Sequence, residues 1–145
     1  MRKVSHSPEE TERIGAELAR DLGPGSVIAL RGDLGAGKTV LARGIAKGLG
    51  IDARQVISPT FTLLRTYTGG RLPLYHFDVY RLDGPEELLD IGMDDLDLEG
   101  GVMIAEWAER VEEVLPKERL DVTIAGSADD PRIIEVCKTD ENPGN

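Results

Sequence analysis

Residues 32 to 39 read Gly-Asp-Leu-Gly-Ala-Gly-Lys-Thr, a run that fits G-x-x-x-x-G-K-[ST] at every fixed position. Those residue types at that spacing hold phosphates. Gly32, Gly35 and Gly37 let the backbone turn tightly enough for successive N–H groups to face phosphate oxygens without side-chain obstruction. Lys38 then reaches the β- and γ-phosphates, and Thr39 offers its hydroxyl to Mg²⁺. A nucleoside triphosphate is the implied ligand.

Magnesium chemistry on such a loop needs a carboxylate at the end of a neighbouring apolar strand. Two candidates follow apolar runs: Asp78 after Leu74-Tyr75-His76-Phe77, and Glu106 after Val102-Met103-Ile104-Ala105. Ser58-Pro59-Thr60 lies soon after the loop helix, where hydrolases that sense the γ-phosphate place a hydroxyl-bearing switch. Thr60 is therefore a candidate nucleotide contact, against the plainer reading of a simple turn. His76 reads as a strand histidine satisfied in place. Trp107 either packs under the site or forms a contact surface.

The loop works only if a buried strand delivers it and a helix opens after it. Val27-Ile28-Ala29-Leu30 has the look of that strand, and Val40 to Leu49 carries Leu41, Ile45 and Leu49 at helical spacing before Gly50. Upstream, Ser7-Pro8-Glu9-Glu10 announces a helix, with Ile14, Leu18 and Leu22 on one face and Gly23-Pro24-Gly25 ending it. Ile51 to Val56 reads as a connection. Phe61 to Tyr67 and Leu72 to Asp78 flank Thr68-Gly69-Gly70-Arg71 and read as a hairpin. Short helices are expected from Pro85 and from Glu106 to Leu115, with a closing hairpin from Leu120 to Ala125 and Ile133 to Val136. This order predicts an α/β fold with a mixed parallel and antiparallel sheet flanked by helices.

The chain has 145 residues, enough for one domain with a real core. Its expected extent is 1–137, followed by a polar tail at 138–145. No apolar stretch is long enough to span a membrane, and the start lacks the apolar segment of a secretory signal, so a cytoplasmic protein is expected. Cys137 is the only cysteine, which excludes an internal disulfide and suggests packing. The formal net charge is -10, and from Asp83 to Glu113 the only basic residue is Arg110. Such a face repels a phosphate backbone, so no direct grip on nucleic acid is expected. A solvated acidic surface, or one that meets a basic protein, fits better.

Taken together, these segments resemble the TsaE family of bacterial tRNA threonylcarbamoyladenosine biosynthesis ATPases. The resemblance covers nearly the whole chain. It rests on the loop at 32 to 39, Ser-Pro-Thr-Phe-Thr-Leu at 58 to 63, Tyr-His-Phe-Asp-Val-Tyr-Arg at 75 to 81, Pro-Glu-Glu-Leu at 85 to 88 and Glu-Trp at 106 to 107. It implies a single-domain, mixed-sheet P-loop ATPase that works with the paralogous pair TsaB and TsaD, the latter modifying adenosine beside the tRNA anticodon. It further implies that ATP phosphates lie within Leu34, Gly35, Ala36, Gly37, Lys38 and Thr39, that Thr39 and Glu106 hold Mg²⁺, that Asp78 lies near the reacting phosphate, and that Thr11 approaches the adenine. Lys38, Asp78 and Glu106 are the expected catalytic groups, and tRNA is met only through the partners. No arginine is placed as a finger, which predicts slow hydrolysis by the chain alone. Two other readings stay open: a small-molecule kinase, thinly supported by Arg65 and Arg71 as lid residues, and a non-catalytic switch that binds ATP to dock on a partner.

Overall fold

The computed structural model describes residues 1–32, 36–56, 64–78, 100–106, 118–126 and 129–138, with the side chain of Asp78 outside that description. In chain order the elements are β1 (Arg2–Ser5), α1 (Pro8–Ala19), β2 (Val27–Arg31), α2 (Lys38–Gly48), a 3₁₀ turn at Ala53–Gln55, β3 (Leu64–Tyr67), β4 (Leu74–Asp78), β5 (Val102–Glu106), β6 (Leu120–Ala125) and β7 (Arg132–Lys138). The strands form one sheet in the order β1-β7-β6-β2-β5-β4-β3. The centre, β6-β2-β5-β4, is parallel, whereas β3 on one side and β7 and β1 on the other join antiparallel. The expected mixed sheet is therefore present, with the strand that feeds the phosphate loop at its middle.

That central position explains the composition of β2 and β5. Buried strands covered on both faces read as unbroken apolar runs, and Val27 to Leu30 and Val102 to Ala105 are all buried. One face, carrying Ile28, Leu30, Val102, Ile104 and Leu74, joins Ile14, Leu41, Ile45 and Leu49 of the two helices in a single apolar core. Val27, Ala29, Met103, Ala105 and Phe77 are buried outside that cluster.

The two helices touch backbone to backbone. A Cβ on Gly15 would meet the Leu41 carbonyl and the Ile45 nitrogen, and one on Gly44 would overlap the Glu12 carbonyl. Small residues at the crossing let α1 and α2 approach this closely. Helix α1 starts as its sequence announces: Ser7 caps it, its hydroxyl accepting from the Glu10 N–H at 3.1 Å, with Pro8 at the first position. Its other end is closed from a distance. Arg71, in the β3–β4 connection, donates to the carbonyls of Ala19 at 2.6 Å and Leu22 at 3.0 Å, and its own N–H bonds the Leu49 carbonyl at the end of α2. Arg71 is thus a structural tie, which removes it as a mobile lid residue.

Three features depart from the sequence reading. Strand β1 was not expected: four residues carry no usable periodicity, and its partner β7 lies at the far end of the chain. Cys137 is exposed on β7 and is not a packing residue. Helix α2 begins at Lys38, two residues before the expected Val40, so Lys38 itself stands in the first turn. The helix expected from Glu106 to Leu115 does not start at Glu106, which ends β5; its remainder, the helix expected near Pro85, and Trp107 lie outside the described residues.

Gly44→Ala should destabilise the protein by about 1–3 kcal/mol, the usual penalty for forcing extra volume into a packed contact. Gly23→Ala, where a Cβ meets nothing within 4 Å, is the matched control and should stay within about 0.5 kcal/mol. Urea denaturation of both variants checks this, and equal midpoints would show that the helices are not held backbone to backbone.

Candidate active site at the carboxyl ends of the parallel strands

Parallel pairing brings strand ends of like polarity together, and in open α/β sheets ligands gather at the carboxyl ends. The register puts Leu30 opposite Glu106, and Glu106 opposite Asp78. Leu30, next to last in β2, and the last residues of β5 and β4 therefore stand at one level across three strands. Immediately beyond, β2 gives way to Gly32 and the phosphate loop. The sequence-predicted Lys38, Thr39, Glu106 and Asp78 are brought to one end of the sheet; Leu34, Gly35 and Thr60 lie outside the described residues.

The loop re-enters at Ala36, buried against the core, and Gly37 has φ 107°, a left-handed value that a residue with a Cβ rarely adopts. Gly37 is the N-cap of α2 and has no side chain with which to cap it. The first N–H groups of a helix have no intrahelical partner, and at α1 the Ser7 hydroxyl and two glutamates in the first turn answer them. Helix α2 has no acid in its first turn and no side-chain cap, only Lys38, Thr39 and Val40. An anion is the natural complement of such an end. Lys38 is buried at 6% exposure and its ammonium donates to the Gly32 carbonyl at 2.5 Å, so the side chain folds back along the loop it serves. Thr39 is half-buried beside it.

The loop is braced from β7, two strands away from β2 in the sheet. Arg132 of β7 donates through Nε to the Ala36 carbonyl at 2.9 Å and through a terminal nitrogen to the Asp130 carbonyl at 2.6 Å. Sequence reasoning missed this contact because 96 positions separate the partners. Arg132, Ala36, Gly37 and Val40 share a cleft of about 420 Å³ with Ser5 and Thr11. Thr11 thus stands on a wall beside the start of α2. Its hydroxyl is bonded to the Ser5 hydroxyl at 2.7 Å, and Ser5 donates in turn to the Ser7 carbonyl at 2.8 Å. Thr11 therefore serves the cleft by shape. A larger cavity of about 760 Å³ opens at the opposite end of the sheet, around Val27, Leu120 and Cys137, away from the phosphate loop.

Glu106 is buried at 3% exposure. Its recorded partner among the described residues is His76, whose Nε2 lies 2.5 Å from Oε2. Buried carboxylates normally pair with a cation, and no lysine or arginine of the described residues pairs with this one. His76 was read as satisfied in place; it is fully buried, but its Nδ1 has no hydrogen-bond partner among the described residues.

Arg132→Leu should loosen the loop without unfolding the sheet. Amide hydrogen exchange at Gly37 to Leu41 should accelerate about 10-fold, corresponding to one hydrogen bond's worth of local stability, while amides of α1 stay unchanged. Unaltered exchange at Gly37 would show that the brace does not hold the loop.

The model of the family described as threonylcarbamoyl adenosine biosynthesis protein TsaE matches residues 5–134 of the chain. A Bacillus subtilis protein named tRNA threonylcarbamoyladenosine biosynthesis protein TsaE is 49% identical over 128 residues, covering 88% of this chain and 79% of the relative. A Treponema pallidum protein of the same name is 46% identical over 137 residues, covering 94% of this chain and 100% of the relative. The crystal structure of Bacillus subtilis YdiB superposes with a TM-score of 0.75 at 41% identity, over 92% of this chain and 82% of that one. With the loop, the strand-end acids and the sheet order already in place, these likenesses show that the chain belongs to the TsaE family.

Proposed function

We propose that this chain binds and hydrolyses ATP with Mg²⁺ as the nucleotide-driven component of tRNA threonylcarbamoyladenosine biosynthesis, acting with TsaB and TsaD in the cytoplasm. One observation carries the reading: the phosphate loop leaves β2 at the level where β5 and β4 end in Glu106 and Asp78. The family names supply the pathway. The acidic balance supports tRNA contact through partners and not through this chain.

The donor set suits Mg²⁺. This ion takes oxygen ligands, usually one or two from protein and the rest from phosphate and water. Thr39 offers a hydroxyl and Glu106 a buried carboxylate with no lysine or arginine partner among the described residues. When bound, the ion offsets the charge of the β- and γ-phosphate oxygens. Lys38 and the N–H groups at the start of α2 bind the same oxygens and stabilise the charge that shifts in the transition state. Water attacks the γ-phosphorus in line, the bond to the β–γ bridging oxygen breaks, and ADP and inorganic phosphate result. Asp78 orients that water or the ion. Ala36, Val40 and Thr11 form the wall against which the adenosine rests.

Lys38→Ala should cut hydrolysis by at least about 100-fold, the loss typical of removing a preorganised transition-state contact. Glu106→Ala should leave nucleotide binding in EDTA intact and abolish its strengthening by Mg²⁺. Phosphate release and nucleotide titration check these, and retained activity in Lys38→Ala would overturn the assignment. Turnover by the isolated chain should be slow and should rise on mixing with TsaB and TsaD. A fast, partner-independent rate would remove the partners from the mechanism, and phosphate transfer only to an added small acceptor would indicate a kinase.

A further inference from the structure

His76 and Glu106 stand on neighbouring parallel strands, with His76 opposite Ile104, two residues before Glu106. That offset puts them on the same face of the sheet, and His76 Nε2 approaches Oε2 at 2.5 Å. His76 has no solvent exposure, and its ring lies 6.3 Å from that of Tyr67. Its other nitrogen has no partner among the described residues. Buried polar atoms left unpaired are few in native proteins, and each calls for a reason beyond packing. An apolar residue would fill the space between Tyr67 and β5 without leaving an orphan atom.

Resting on the reading of Glu106 as a Mg²⁺ group, we propose that His76 is a positioning residue for Glu106. A carboxylate oxygen accepts, so in this bond the imidazole Nε2–H is the donor. That bond occupies Oε2, fixes the rotation of the carboxylate and leaves Oε1 as the oxygen offered to the ion. A lysine or arginine in the same place would orient the carboxylate but compete with the cation for its charge. An imidazole on the next strand orients it through one directed bond, the arrangement by which outer groups tune metal ligands. The aim of Glu106 is therefore set by β4, the strand that also ends in Asp78.

The test measures the Mg²⁺ concentration needed to strengthen binding of a fluorescent ATP analogue, alongside Mn²⁺ binding by electron paramagnetic resonance. Removing such an outer group costs metal affinity about 10- to 100-fold. His76→Leu should raise the half-saturating Mg²⁺ concentration about 10-fold and leave binding in EDTA unchanged. His76→Gln, whose side-chain nitrogen reaches the position of Nε2, should return it to within about 3-fold of wild type. His76→Asn, too short to reach Glu106, should not. The Gln and Asn variants share polarity and differ in reach, so they decide the matter even if His76→Leu fails to fold. Equal Mg²⁺ requirements for the two would overturn the proposal. Glu106→Gln in the same assay separates the two levels: if it alone raises the requirement, only the role of His76 falls. If it has no effect, the Mg²⁺ assignment of Glu106 falls, and the role of His76 with it.

Discussion

Everything at this site depends on parallel pairing of β4, β5 and β2. Antiparallel neighbours would send one strand end to each side of the sheet, whereas parallel ones deliver theirs to the same side. Leu30, Glu106 and Asp78 fall at one level for that reason. The antiparallel additions are kept to the flanks, where β3, β7 and β1 extend the sheet without disturbing its centre. The price of this arrangement is a centre strand buried on both faces, which leaves only apolar residues between Val27 and Leu30.

Electrostatics divides the two helices. Both begin with unpaired N–H groups, yet α1 is closed by its own serine and glutamates while α2 is left to Gly37 and a lysine. The difference lies in side chains alone, since the backbone dipoles are alike. A buried carboxylate that no lysine or arginine of the described residues pairs with stands one strand away, held by a histidine. A helix end that favours an anion and a buried carboxylate thus lie close together at the carboxyl end of the sheet.

The parts of this fold encoded by short-range chemistry were legible from the amino acids. Ser7 and Pro8 mark the helix start, the glycines and Lys38 mark the loop, and the run from Thr68 to Arg71 marks the hairpin, because each signal lies within a few residues of the structure it specifies. What stayed hidden joins distant positions. The bond from His76 to Glu106 spans 30 residues and that from Arg132 to Ala36 spans 96. Neither can be anticipated without the strand order, and local patterning does not contain it. The same holds for β1, whose four residues become a strand only because β7 offers an open edge. Arg71 on its turn gave the kinase reading only thin support; carbonyls at the ends of both helices claim it.

The contact between α1 and α2 has a geometric corollary. Helices separated by long side chains can slide as rotamers change, but Gly15 and Gly44 leave backbone against backbone, with nothing flexible between. Thr11 on one helix and the first turn of the other are therefore set at an invariant spacing. The width of the cleft between them is thus set by backbone contact and not by side-chain rotamers.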